Sequence, residues 1–295
     1  MKLPLPKLVR APAPIRIGVF LVVLLLLWVP IAVPLYQVIE DSNTVSIVTL
    51  VVLYAEFLLL VNFWGRWVYR QPNLLRRYGL EFSYRMGLEV LAGLALGIAS
   101  LFALFAVQRV LGWVIWQPPS IAFWRLVVEG LLVSLGIGFA EELFFRGWLL
   151  DELQRDYCPQ VVLWVNATIF ALVHGLRPQF PALLLLGLTL VLAKRACGDF
   201  SGRLPSSSQP SLQHNLPANS FRGRLGLPMG LHAGLVWSYY IVNVGKLVEY
   251  APHVPEWLTG FDRNPLAGAI GVLFLGILAF GMILYAERRV KTTLL

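Results

Sequence analysis

The chain has 295 residues, of which 58% are hydrophobic and 14% charged, with a mean hydropathy of +0.71. A soluble globular domain carries about a quarter charged residues, so this composition argues against one and for a chain bathed in lipid. The net charge of +8 does not make a nucleic-acid binder, because the basic residues sit in short loops between apolar blocks; Cys158 and Cys197 stand in neither a CxxC nor a metal-ligand spacing, which excludes a disulfide framework and a thiolate zinc site.

The N-terminus is basic (Lys2, Lys7, Arg10, Arg16) and then apolar from Ile17 to Tyr36. That run is too long for the core of a signal peptide and has no small-x-small cleavage site, so it reads as an uncleaved first span. Apolar blocks long enough to cross about 30 Å of hydrocarbon recur through the chain. They predict eight spans, at 17–39, 44–65, 86–107, 126–146, 160–175, 179–194, 227–246 and 267–287. The fifth and sixth are short and joined by a tight loop at His174-Gly-Leu-Arg-Pro, as in a hairpin that does not fully cross. Residues 197–226 are rich in Ser, Pro, Gly and Asn and predict a flexible loop, in which His214 is an ordinary solvated residue. The stretch with Pro252, His253, Pro255 and Trp257 reads as an interfacial segment. The expected fold is an all-α polytopic transmembrane helix bundle, with some spans short or re-entrant. It divides into N-terminal helices at 1–119, a core at 120–247 interrupted by the 197–226 insertion, and a loop plus last helix at 248–295.

Lys and Arg concentrate on the cytoplasmic side of membrane proteins. With the N-terminus cytoplasmic, that side holds 19 of the 24 basic residues and leaves Arg109, Arg125, Arg177, Lys246 and Arg263 opposite. The expectation is that both termini are cytoplasmic.

Ionisable residues within spans cost about 2.5–3.5 kcal/mol each at the centre, which makes them functional candidates by default. The fourth span ends in Glu141-Glu142-Leu-Phe-Phe-Arg146. Glu142 and Arg146 stand four apart on one helix face and can pair, while Glu141 lies about 100° round the helix and can face a cavity. One carboxylate would then work and the other hold a salt bridge; a plain packing ion pair fits the same pattern. His174 ends the fifth span and His232 lies among Gly230, Ala233 and Gly234 in the seventh; each alone could be a hydrogen-bonded packing histidine. Together they put an acid/base group on each of three helices. A buried carboxylate assisted by an imidazole can take a proton from water and return it to a leaving amine, and a second imidazole can stabilise the oxyanion.

EExxxR at Glu141–Arg146, FxxxH at Phe170–His174 and the helix bearing His232 resemble, in order and spacing, the three motifs of the CPBP family, the CaaX-protein proteases and bacteriocin-processing (Abi) enzymes. The resemblance covers about residues 120–245 and implies a multi-helix intramembrane endopeptidase with its site open to the cytoplasm. It implies that Glu141 activates water, His174 assists it, Glu142 and Arg146 support them, and His232 stabilises the oxyanion. The third motif usually reads HxxxN; here position 236 is Val236, and Asn243 lies too far along the helix to replace the missing Asn. The family is described both as metalloproteases and as glutamate-dependent proteases. There is no HExxH, but Glu141, His174 and His232 could hold a divalent metal such as zinc. The implied partners are the lipid bilayer and a membrane-associated protein or peptide substrate, with no nucleic acid; the implied location is a bacterial plasma membrane or a thylakoid. A silent family member acting as a membrane scaffold or immunity protein, for which Val236 speaks, stays open, as does a transporter using Glu56, Glu89 and Glu129.

Overall fold

The computed structural model describes residues 5–121, 123–198 and 223–294. Most of the segment expected to be flexible, and His214 with it, lies outside the described residues. Eight helices account for the eight expected spans: α1 (Ala13–Val38), α2 (Ser42–Trp67), α3 (Tyr84–Val110), α4 (Phe123–Gln154), α5 (Pro159–Val173), α6 (Phe180–Ala196), α7 (Gly226–Asn243) and α8 (Ala269–Leu294). Five of them, α1 to α4 and α8, are long and apolar enough to cross a membrane. Their outward residues include Leu26, Leu50 and Leu59, each more than 60% exposed, a surface that lipid solvates and water does not. The chain thus fits a multi-pass membrane protein. The pair α5 and α6 is short, as expected, at 15 and 17 residues, and packs side by side. At the helical rise α5 spans about 22 Å, less than the hydrocarbon thickness.

Helix α7 is the centre of the bundle, wedged between α3 and α4. The contact with α3 is backbone against backbone. A Cβ on Gly93 or Gly97 would collide with the Leu227 and Leu231 carbonyl oxygens of α7, and one on Gly230 or Gly234 with those of Val90 and Leu94. Two GxxxG patterns therefore face each other, the small-residue device that lets membrane helices approach closely.

Helices α1, α2 and α4 share an aromatic cluster in which Phe20 meets Phe57, Trp64 and Trp148 at centroid distances of 6.0, 5.2 and 4.4 Å. Beside it lies a buried ionic network. Arg16 of α1 binds Glu152 at 3.0 Å, the Tyr69 hydroxyl donates to Glu152 at 2.6 Å, and Asp151 takes Arg77 at 2.8 Å and Arg155 at 2.9 Å. The Arg155 guanidinium also covers the Tyr69 ring, 3.8 Å from its centroid. Burial, with Glu152 beside it, pushes the Tyr69 hydroxyl pKa up, so it remains a donor.

Two features depart from the expectation. The fourth span does not end at 146: α4 continues through buried Asp151 and Glu152 to Gln154, because those charges are neutralised by partners and need no water. The connections after α3 and α7, for which the sequence predicted no strand, pair as a two-stranded antiparallel ribbon, β1 (Val114–Trp116) with β2 (Val248–Tyr250), in which Val114 faces Tyr250 and Trp116 faces Val248.

Candidate active site

Glu141 and His174 reach the same depth through the length of α4. Glu141 stands thirteen residues before Gln154, and His174 follows fifteen residues of α5. With the two helices antiparallel across a short turn, both groups lie about 20 Å from that turn. A fourth span ending at 146 would instead set Glu141 near one membrane face and His174 near the other. His174 is the C-cap of α5, and the chain turns away at Gly175, whose φ of 94° is one that residues with a Cβ rarely adopt.

The back of the site is sealed. The side chains of Glu142 and Arg146 are 0% exposed and that of His232 5%. Glu142 Oε1 accepts from Arg146 Nη1 at 2.9 Å and lies 2.9 Å from His232 Nδ1. Arg146 also donates from Nη2 to the Gly187 carbonyl of α6 at 3.3 Å and stacks over the Phe170 ring at 4.3 Å. Three partners from three helices hold one guanidinium, which a buried cation requires.

The front is open. Glu141 and His174 keep 30% and 32% of their side-chain surface. His174 Nδ1 lies 2.7 Å from the Phe170 carbonyl. A carbonyl only accepts, so Nδ1 carries a proton, and in the neutral ring the lone pair is then on Nε2. That Nε2 is 3.6 Å from Glu141 Oε2, and His232 Nε2 is 4.0 Å from the same oxygen. Glu141 Oε2 makes no hydrogen bond within the described residues. The two adjacent acids are thus divided: Glu142 Oε1 is engaged by both Arg146 and His232, while the Glu141 carboxylate faces the two imidazoles.

Donor types and spacing point different ways for a metal. One carboxylate and two imidazoles, each ring tied down at its other nitrogen, is a zinc-like set. Arms of about 2.0–2.1 Å in a tetrahedron put donors about 3.3 Å apart. Here the separations from Glu141 are 3.6 and 4.0 Å, and no three such side chains among the described residues are gathered as a metal-binding group. As arranged they do not fit a cage, and no step below passes through a metal.

All five residues singled out from the sequence meet here. Val236 is half-buried on α7, and Asn243 donates instead to the Arg263 carbonyl, so neither supplies the missing amide of the third motif. Of the acids that suggested transport, Glu129 is taken by Arg125 and Glu89 by Arg224. Sequence reasoning missed two buried polar side chains that touch the motif-bearing helix, Asn166 and Lys194. Lys194 is the last residue of the predicted sixth span and counts in the sequence only among the 19 cytoplasmic-side cations. Its place inside α6 was the available signal, since an ionisable group within a span is a functional candidate.

Residues 122–201 match the family model described as Type II CAAX prenyl endopeptidase Rce1-like. The match takes in Glu141, Glu142, Arg146 and His174 and leaves His232 outside it. No curated protein and no solved structure matches the chain. The family match supports intramembrane endopeptidase activity in general terms.

Proposed function

We propose that this chain, whose residues 122–201 match the CAAX prenyl endopeptidase family, hydrolyses a peptide bond of a membrane-associated substrate with a water activated by Glu141 and His174. The observation that carries the reading is the division of the two acids: buried Glu142 is engaged by Arg146 and His232 through Oε1, while Glu141 Oε2 faces two imidazoles without a hydrogen bond among the described residues.

The Glu141 carboxylate and the His174 Nε2 lone pair accept the two protons of one water, which aims the water's own lone pair at the scissile carbonyl. As the carbon–oxygen bond forms, Glu141 takes one proton. His232, held at Nδ1 by Glu142, carries a proton on Nε2 and donates it as a hydrogen bond to the oxyanion. When the carbon–nitrogen bond breaks, Glu141 returns its proton to the leaving nitrogen. The substrate is a peptide presented at the membrane, which the Rce1-like match supports in kind.

The test is turnover of a fluorogenic membrane peptide by purified protein in detergent. Removing a general base costs about 10²–10⁴-fold. Glu141→Gln should lose that much kcat, and Glu129→Gln, on the same helix but outside the site, should keep wild-type kcat. Equal turnover by wild type and Glu141→Gln refutes the assigned base.

A further inference from the structure

The segment Leu143–Leu149, directly after the acid pair, is a π-helix. Such turns are rare and cluster at functional sites, because they shift the register of one helix half against the other. The shift leaves a mark in the hydrogen bonds. In an α-helix the Leu150 N–H would donate to the Arg146 carbonyl. Here it points to the carbonyls of Phe145 and Gly147. The Arg146 carbonyl is instead met by Lys194 Nζ of α6 at 2.6 Å. The neighbouring Phe145 carbonyl takes a second donor, Asn166 Nδ2 of α5, at 2.8 Å. Lys194 is 2% exposed and Asn166 0%.

We infer that Lys194 and Asn166 are positioning residues for this reaction: they hold α4 in its π register and so fix Arg146 and Glu142 against His232. An ammonium in an apolar span is costly unless it meets a strong acceptor. A carbonyl whose helical donor has been diverted is such an acceptor. Arg146 is thereby gripped at both ends by α6, its backbone carbonyl by Lys194 and its guanidinium by the Gly187 carbonyl. If the turn relaxed to α geometry, every residue on one side of it would rotate by about 100° relative to the other. Glu142 at the start of the turn and Arg146 within it could not then keep their present partners.

The role rests on the hydrolytic reading, so its test has one arm that needs no activity. Hydrogen–deuterium exchange over 143–154 should quicken in Lys194→Met, which keeps the chain length and removes the donor; unchanged exchange overturns the inference. The kinetic arm is a double-mutant cycle. Displacing a catalytic frame costs about 10–100-fold, so Lys194→Met should lose kcat by that factor with KM within about twofold. Because Lys194 acts through Glu142, Lys194→Met combined with Glu142→Gln should be no slower than the slower single variant. Losses that multiply overturn the proposal. Asn166→Leu, on the adjacent carbonyl, carries the same expectations should Lys194→Met not fold. Wild-type protein without turnover would defeat the hydrolytic reading and leave the exchange arm to decide this one.

Discussion

The Glu142 side chain is fully buried against Arg146 and His232, while Glu141 keeps 30% of its surface. This contrast separates stability from activity at adjacent positions. Glu142→Ala strands a buried guanidinium and should destabilise the fold by about 3–5 kcal/mol, together with a loss of turnover. Glu141→Ala removes a partly exposed group whose Oε2 makes no hydrogen bond among the described residues. It should abolish turnover and leave the melting temperature in detergent near that of wild type. Arg146→Lys tests the same region, since a lysine cannot reach Glu142, the Gly187 carbonyl and the Phe170 ring together. It should behave like Glu142→Ala in a thermal melt, and a wild-type melt would contradict the account. At this scale the sequence was informative. An acid pair, an arginine and two histidines inside apolar segments are conspicuous because lipid penalises them. Asn166 and Lys194 were not read, because one is uncharged and the other stands where an apolar run gives way to basic residues.

At the scale of elements, eight apolar runs became eight helices because in lipid each backbone must satisfy its own hydrogen bonds. What the runs did not disclose was pairing. Gly93 and Gly97 look like ordinary residues of a transmembrane segment until the backbone of α7 is set against them. Gly97→Leu should push α3 from α7 and reduce the monodisperse fraction in size-exclusion chromatography well below that of Ile98→Leu, a volume-conserving neighbour. Equal yields would mean that the contact is loose. The end of α4 was misjudged for a physical reason as well. Asp151 and Glu152 look like a water-facing boundary, but Arg16, Tyr69, Arg77 and Arg155 pair with them inside the protein. The π turn has no signal in residue type; it is a property of the packing of α4 against α5 and α6.

At the scale of the molecule, the site is a meeting of three frameworks. Helix α4 brings both acids and Arg146, α5 brings His174, and α7, seated on α3 through glycine, brings His232. The ionic network at the end of α4 ties α1 and α2 to this core through Arg16 and Tyr69. Glu152→Ala should therefore lower the melting temperature while kcat at a permissive temperature holds within about threefold, because its partners lie outside the acid/base cluster. A melt unchanged by that substitution would show the network to be dispensable. The donor spacing around Glu141 argues for water rather than a bound ion, so turnover should survive exhaustive chelation; activity lost to a chelator and restored by zinc would contradict that.

The central claim is that water, delivered by Glu141 and His174, attacks the peptide carbonyl without a covalent enzyme intermediate. A single turnover in ¹⁸O-water with enzyme in excess tests it most directly. The account predicts one ¹⁸O in the new carboxylate of the first product molecule and an unlabelled Glu141. Unlabelled first product, with the heavy oxygen later found in the Glu141 side chain, would make that residue a nucleophile and contradict the account.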